Sequence, residues 1–381
     1  MTLDLRIQEY TESLQAQNLL RVRQIAHHGH TEFIHFDTND YLSLTTDQGI
    51  AKAYQDGYTT YPTGSGGSML LNGYHHVHHE LEQAFATLLG VDECILFSSG
   101  YAANLAIASL LGKIGAACIV DKAIHASVYD GLTLSKVHCT RYLHNDVDDL
   151  ERKLKSNPHE SVIITEGIFS MSGQLAPLSS IAKIGEHYNS VVLVDEAHSF
   201  GILGAQGRGA VAHYGLTQNK VPLRIIPFGK ALASQGALIA GQKSWINGLL
   251  QAARSLIYST ALSPALGYGL LKTLEVVVRA DDRRAKLNQL TAYFKEKARN
   301  SPFRWGNSSS PIQQLQLGCP KLALHYSNEL KKAGLCCSPV RSPTVSPKQT
   351  GLRIILNFDH QEEHINRLFK ALDRIYESTH H

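Results

Sequence analysis

The sequence predicts an α/β protein: a mainly parallel sheet with helices on both faces, followed by a smaller α+β domain. Three observations carry this. From about residue 91 onward, short apolar runs alternate with segments of helical period. One of those runs, Val191–Val194, is wholly apolar, as expected of a strand buried on both faces. The chain has 381 residues, more than one core usually organises. The expected division is an N-terminal helix and arm over 1–45, a large domain over 46–275 and a small α+β domain over 276–381.

Residues 3–25 read as an amphipathic helix. Leu5, Ile7, Tyr10, Leu14 and Leu19 recur at roughly helical spacing, and Arg21 and Arg23 close it, where cations suit the helix dipole. Phe33–Phe36 reads as a short strand and Asn39–Leu42 as a turn. Thr59–Gly73 is a loop whose Gly64, Gly66 and Gly67 permit close backbone approach. It does not match G-x-G-x-x-G and no strand leads into it, so it is no dinucleotide fingerprint. A helix over His75–Leu89 carries His75, His76, His78 and His79. It has no HExxH pattern and no nearby cysteine or paired carboxylate, so a solvated histidine-rich face is expected rather than a metal site.

Strands at Cys94–Phe97, Ala117–Val120, Ser161–Thr165, Val191–Val194, Leu223–Pro227 and Ala237–Ile239 are interleaved with helices at Ala102–Leu111 and Ile181–Tyr188. Pro264–Glu296 reads as long helices leading out of the domain. Beyond residue 300, strands at Gln313–Leu317 and Leu352–Leu356 and helices at Lys321–Ala333 and Glu362–Tyr376 make a compact second domain.

Composition narrows the function. Hydrophobic residues are 43% and charged residues 18%, enough for a large core. A net charge of +3 without a long Lys/Arg run gives no case for nucleic acid or a membrane surface. The polar, acid-bearing N-terminus lacks the apolar segment of a signal peptide, and no apolar run reaches spanning length. The cysteines form no CxxC pair, and Cys94 and Cys118 sit in apolar runs as core thiols. A reducing, cytoplasmic setting is expected.

Several strand ends carry groups that could do chemistry. Val221–Gly241 holds a single lysine, Lys230, after an apolar strand and before a run of small residues. A lysine in apolar surroundings becomes a usable nucleophile, although a surface loop lysine is the competing reading. In Phe97–Asn104 a strand ends, Ser98, Ser99 and Gly100 turn the chain and a helix begins, which makes an anion cradle. Asp195 ends the strand beginning at Val191, with His198 three residues on. A carboxylate there can hold a positively charged ring nitrogen, and a helix cap with a satisfied histidine is the alternative. His125 follows another strand and could stack on a flat ring, and Ser170 also follows a strand end. Amine, acid, histidines and anion cradle are together the parts a pyridoxal 5′-phosphate site needs.

The ordered stretches TNDYLSL, GSGGSMLLNGYHHVH, FSSGYAAN, HASVYDG, HND, TEGIFSMSGQLAPL, VDEAHSFGILGAQGRGA, FGKALASQGA, IYSTALSP and VRSPTV span nearly the whole chain. They resemble the α-oxoamine synthase family of fold-type-I pyridoxal-phosphate enzymes. The resemblance implies an aspartate-aminotransferase-like fold with a seven-stranded sheet, and pyridoxal 5′-phosphate as cofactor. It implies a decarboxylative Claisen condensation of an amino acid with an acyl-CoA or acyl-ACP.

The resemblance also implies roles. Lys230 would form the Schiff base with the cofactor and later take the substrate Cα proton. Asp195 would pair with the pyridine nitrogen, and His198 and Ser170 would lie near the phenolic oxygen. His125 would stack on the ring, and Glu166 would belong to the cofactor pocket. Ser99, Gly100 and Tyr101 would hold the phosphate, and Thr260 would reach the phosphate of a neighbouring subunit, so that a homodimer is required. Arg341 would clamp the amino-acid carboxylate. Asn39 and His78 would line the active site, and Arg21 would lie near the distal carboxylate of the acyl chain.

Compact length and Arg21 favour the biotin-pathway branch, which uses L-alanine and a pimeloyl thioester, over sister synthases using glycine or serine with other acyl groups. Silent relatives typically lose the lysine, whereas Lys230, Asp195 and His198 are all present. Three departures stand out. Pro227 occupies a place where a small hydroxyl residue is usual, Ala231 and Ala233 replace glycines, and Ser172 replaces an aspartate.

Overall fold

The structure is a computed structural model that describes residues 1–23, 25, 33–157 and 160–380. The chain forms two compact units. The larger holds Asp40–Ser170 and Leu175–Ala285, and the smaller holds Met1–Asn39, Met171–Gln174 and Lys286–His381. The strands in chain order are β1 Ile34–His35, β2 Glu93–Phe97, β3 Ala117–Asp121, β4 Cys139–Tyr142, β5 Ser161–Glu166 and β6 Val191–Asp195. They continue with β7 Leu223–Pro227, β8 Ala237–Gly241, β9 Ile312–Gln316, β10 Leu335–Cys336, β11 Ser338–Val340 and β12 Gly351–Ile355.

In the larger unit seven strands form one sheet in the order β2-β8-β7-β6-β5-β3-β4. All run parallel except β8, which is antiparallel to both its neighbours. The mainly parallel seven-stranded sheet is therefore the one the sequence led us to expect. Alternate residues of the central strands serve opposite faces. Cys118, Val120, Val162, Ile164 and Leu193 enter one core with the helix Gly100–Lys113. Ile119, Ile163, Val192 and Val194 enter a second core with Leu150, Leu154, Leu178 and Ile181. Both faces are thus covered, which is why these strands read as unbroken apolar runs. Each fully buried side chain of this kind contributes about 1.5–3 kcal/mol.

Because β2, β3, β5, β6 and β7 share one direction, their carboxyl ends lie along one edge of the sheet. Ser99–Gly100, His125, Glu166, Asp195 and Lys230 all stand on or just beyond those ends. Such an edge is where open α/β sheets place ligands.

In the smaller unit β11, β12 and β9 form an antiparallel sheet, and β1 pairs in parallel with β10. Gly173 belongs here and has φ +68. A Cβ on it would lie 2.1 Å from the Ile312 carbonyl oxygen, so only glycine fits.

The N-terminal helix is shorter than its periodicity suggests. It runs Leu3–Ala16 and ends in a Schellman-type turn. Asn18 adopts φ 57, its N–H donates to Gln15 O at 3.0 Å, and Leu19 N donates to Leu14 O at 2.8 Å. Arg21 and Arg23 therefore lie beyond the helix rather than in its last turn. The helix buries none of its residues within the chain, although Leu3, Leu5, Ile7 and Tyr10 are apolar. The sequence reading also passed over the helix Gln48–Thr60, the edge strand β4 and the helices Ala126–Leu134 and Val147–Lys155. The strand has four residues and the last two helices nine each, short runs that are easily passed over. The histidine-rich helix runs His76–Leu89, and His78 is buried rather than on a solvated face.

Candidate active site

In the larger unit the site is built around Asp195 at the end of β6. The carboxylate is 4% exposed, and this decides its role, because a charge so buried needs partners. Its Oδ1 accepts from Ala197 N at 2.9 Å and its Oδ2 from Asn104 Nδ2 at 3.1 Å. Asn104 also donates to Ser127 Oγ at 3.0 Å, and Ser127 Oγ lies 2.7 Å from His125 Nδ1. Ser127 N donates to the same Nδ1 at 3.3 Å, which fits a neutral ring with its proton on Nε2. Burial pushes the His125 pKa down; the nearby Asp195 charge opposes this and Lys230 adds to it.

Lys230 follows β7 by three residues and is half-buried, not enclosed. Its Nζ lies 2.9 Å from His198 Nε2, and His198 Nδ1 lies 2.6 Å from the Tyr41 hydroxyl. The loop holding the lysine closes on itself: Ala233 N donates to Lys230 O at 2.8 Å and Ser234 N to Phe228 O at 3.0 Å. Ala233 sits at φ 47, in the left-handed region that a glycine would occupy without strain.

Glu166 is the register partner of Asp195 on the adjacent strand, which places two carboxyl groups side by side. Its Oε2 accepts from Ser170 N at 3.2 Å, and its Oε1 is buried. Burial, and secondly the Asp195 charge, push the Glu166 carboxyl well above the usual carboxylate range.

The helix Gly100–Lys113 begins where β2 ends. Ser99 caps it, its Oγ accepting from Ala102 N at 3.1 Å, so this hydroxyl is already engaged. The N–H groups of Gly100 and Tyr101 lie in the first turn, where no intrahelical acceptor exists. A Cβ on Gly100 would stand 2.7 Å from Pro227 Cγ, so the proline packs directly on the cradle and requires glycine there. The Tyr101 hydroxyl donates to Asp130. Thr260 is exposed. His78 lies apart from this network: its Nδ1 accepts from His75 N at 3.1 Å, and burial lowers its pKa.

In the smaller unit Arg21, Arg341 and Arg353 line one cavity of about 200 Å³ with Leu19, Met171 and Val340. Arg341 donates to the Asn18 and Leu20 carbonyls. Its pKa is lowered by burial and then by the charge of Arg21. Arg353 Nη2 donates to Asn39 Oδ1 at 3.0 Å. Three guanidiniums around one small cavity have the charge and donor geometry that suit carboxylates.

Asn104, Ser127, Tyr41 and Arg353 were not among the residues singled out from sequence. Asn104 lies in the quoted stretch FSSGYAAN and Tyr41 in TNDYLSL, so a signal existed for both. Arg353 is hidden in the apolar strand β12, where only its incongruity could have marked it.

The larger unit's strand-end site fits pyridoxal phosphate. It offers a buried carboxylate, a half-buried amine, a neutral histidine and a helix start that a Cβ on residue 100 would obstruct. Comparison with known proteins agrees. The profile of the family described as aminotransferase class I and II matches residues 31–372, and the chain belongs to that family. It is a pyridoxal-phosphate-dependent acyltransferase of the α-oxoamine synthase type.

Its relatives point to one branch. The chain is 38% identical over 347 residues to an 8-amino-7-oxononanoate synthase of Nitrosospira multiformis, covering 90% of this chain and 87% of that one. It is 39% identical over 342 residues to an 8-amino-7-oxononanoate synthase of Pseudomonas putida, covering 90% and 87%. Among solved structures, the 8-amino-7-oxononanoate synthase of Francisella tularensis superposes with a TM-score of 0.81 at 31% identity, over 92% of this chain and 99% of that one. A serine palmitoyltransferase of Sphingomonas wittichii gives a TM-score of 0.90 at 26% identity, over 99% and 97%. Among the described residues no helix is long and apolar enough to cross a membrane.

Proposed function

We propose that this chain condenses L-alanine with a pimeloyl thioester, releasing the carrier thiol and CO2 and giving 8-amino-7-oxononanoate for biotin. The observation that carries the reading is the group at the strand ends, Lys230 hydrogen-bonded to His198 beside the buried Asp195. Pyridoxal phosphate supplies an aldehyde that joins an amine, and a protonated ring that takes up the electron pair left when the amino acid loses its Cα proton.

The chain's own residues do the rest. Asp195 keeps the ring nitrogen protonated, held on one oxygen by Asn104. His125, neutral, covers the ring. Gly100 and Tyr101 offer backbone N–H groups to the phosphate, and His198 and Ser170 serve the phenolic oxygen. Lys230 Nζ takes the Cα proton and later returns one. Tyr41 and Lys230 hold His198 through its two ring nitrogens, at 2.6 and 2.9 Å, so the imidazole is fixed beside the amine. Arg341 and Arg353 bind the amino-acid carboxylate, with Asn39 orienting Arg353, and Arg21 binds the distal carboxylate of the acyl chain. A homodimer, in which Thr260 serves the partner's phosphate, suits the exposure of Thr260 and of Leu71 and Tyr258 on the larger unit. The setting is cytoplasmic.

A second reading has one observation in its favour. The likeness to serine palmitoyltransferase structures reaches a TM-score of 0.90, which fits a sister reaction with another amino acid and acyl chain. Thiol release from pimeloyl, acetyl, succinyl and palmitoyl thioesters, each with alanine, glycine or serine, separates the two. The expected result is fastest release with pimeloyl thioester and alanine. No turnover of that pair, with turnover of another, would replace the first reading with the second.

A further inference from the structure

We propose that His35, Asp37 and Cys336, in the smaller unit, form a binding site for a zinc-class divalent cation. The site is built by strand register. β1 and β10 pair in parallel with His35 opposite Cys336, and the pairing is held by Ile34 N donating to Gly334 O and Phe36 N to Cys336 O, each at 2.8 Å. Residues opposite each other in a ladder project their side chains to the same face, so imidazole and thiol stand together. Asp37, two residues past His35, returns its carboxylate to that face, with Oδ1 3.1 Å from His35 Nδ1. One ligand atom from each of the three lies within 4.8 Å of the other two.

The dimensions suit a small tetrahedral ion. With metal–ligand bonds of about 2.0–2.3 Å, ligand atoms around zinc lie roughly 3.3–3.7 Å apart. The His–Asp pair is already near that spacing, and the thiol, within 4.8 Å of both, needs to close by no more than about 1.5 Å, within reach of a rotation about its χ1. Nitrogen, sulfur and carboxylate oxygen together favour Zn²⁺ over Mg²⁺ or Ca²⁺, which take oxygen alone. His35 and Cys336 are half-buried and Asp37 is exposed, so an ion can enter and solvent supplies the fourth ligand.

On binding, the S–H bond breaks and a sulfur–metal bond forms, with one proton released to solvent and no change of oxidation state. The ion would tie the segment ending at Asn39 to β10, and Asn39 is the residue that accepts from Arg353.

Titration of the holoprotein with Co²⁺, followed by Zn²⁺ competition, tests the site. Cobalt's ligand-field bands lie at longer wavelength than pyridoxal absorption. The expected result is one ion per chain with tetrahedral, thiolate-type bands that Zn²⁺ abolishes. Cys336→Ser should lose those bands, and His35→Asn should weaken binding at least ~100-fold, more than a change behind the ligands would. Cys139→Ser should bind as the parent does. Thermal melting of each protein without metal separates loss of a ligand from loss of the fold. Absent bands, or bands equally strong in folded Cys336→Ser, would overturn the assignment.

Discussion

The two units present two kinds of site. In the larger, each functional side chain is fixed by a neighbour: Asp195 by Asn104 and Ala197, His125 by Ser127, Lys230 by His198, and His198 by Tyr41. These groups stand on strand ends, whose positions the sheet sets. In the smaller, three long arginines line a cavity, Arg341 leaning on backbone carbonyls and Arg353 on Asn39. Proton transfer and charge stabilisation need rigid placement, because misplacement by an ångström is costly. Carboxylate recognition tolerates a flexible stem so long as the guanidinium can reach. The difference teaches that, on the proposed reading, the reaction class lies with the groups at the strand ends and the substrate preference with the arginines.

The largest expected break falls in the rigid site. Lys230→Ala should lower kcat by roughly 10²–10⁴-fold, the range for losing a positioned acid–base group, and should abolish the visible absorption of the lysine-bound cofactor. Steady-state thiol release and absorption spectra read both effects. An active, normally coloured variant would dissolve the distinction between the two sites.

Next come the arginines, where binding should suffer more than turnover. Arg353→Ala and Arg341→Ala should each raise KM for the amino acid by ~10–100-fold, the equivalent of one charge-assisted hydrogen-bonded contact of about 1.5–3 kcal/mol. Arg21→Ala should instead raise KM for the acyl thioester. If all three variants changed kcat alone, the cavity would not be a binding site.

A third effect concerns pH. Burial first, and Asp195 second, raise the Glu166 carboxyl well above its ordinary value of 4.5. A raised folded pKa means that the folded state favours the proton. The stability this contributes is complete below about pH 4.5 and is lost as pH rises through the folded value. Glu166→Gln keeps the neutral shape. The melting temperature of its cofactor-free form should match the parent at acid pH and exceed it increasingly as pH rises. Parallel curves would show that Glu166 ionises normally.

The smallest effect lies in the lysine loop. Ala233 at φ 47 stores left-handed strain, so Ala233→Gly should stabilise the protein by up to about 1 kcal/mol in chemical denaturation. Destabilisation would mean that the alanine methyl contributes packing that outweighs the strain.

Much of the rigid site was legible in the sequence because strand ends are local features. The apolar run Val191–Val194 delivers Asp195, and the run Leu223–Pro227 points to Lys230 three residues on. The network that fixes them was not legible. Asn104 meets Asp195 across 91 residues and Tyr41 meets His198 across 157, pairings that no periodicity reveals. Arg353 was missed because β12 reads as a core strand, and its charge is buried against Asn39. The N-terminal helix was read too long because apolar spacing continues past Asn18, while the chain turns there through a left-handed residue. Pro227 became intelligible only through Gly100, whose missing Cβ makes room for the proline ring.

Every role proposed for the larger unit depends on Lys230 being the lysine that holds the cofactor. Borohydride reduction of the holoprotein, which fixes the cofactor to its amine, followed by peptide mass mapping, tests this most directly. The predicted result is a pyridoxyl label on the peptide carrying Lys230, with no other lysine labelled stoichiometrically. A stoichiometric label on any other lysine would contradict it.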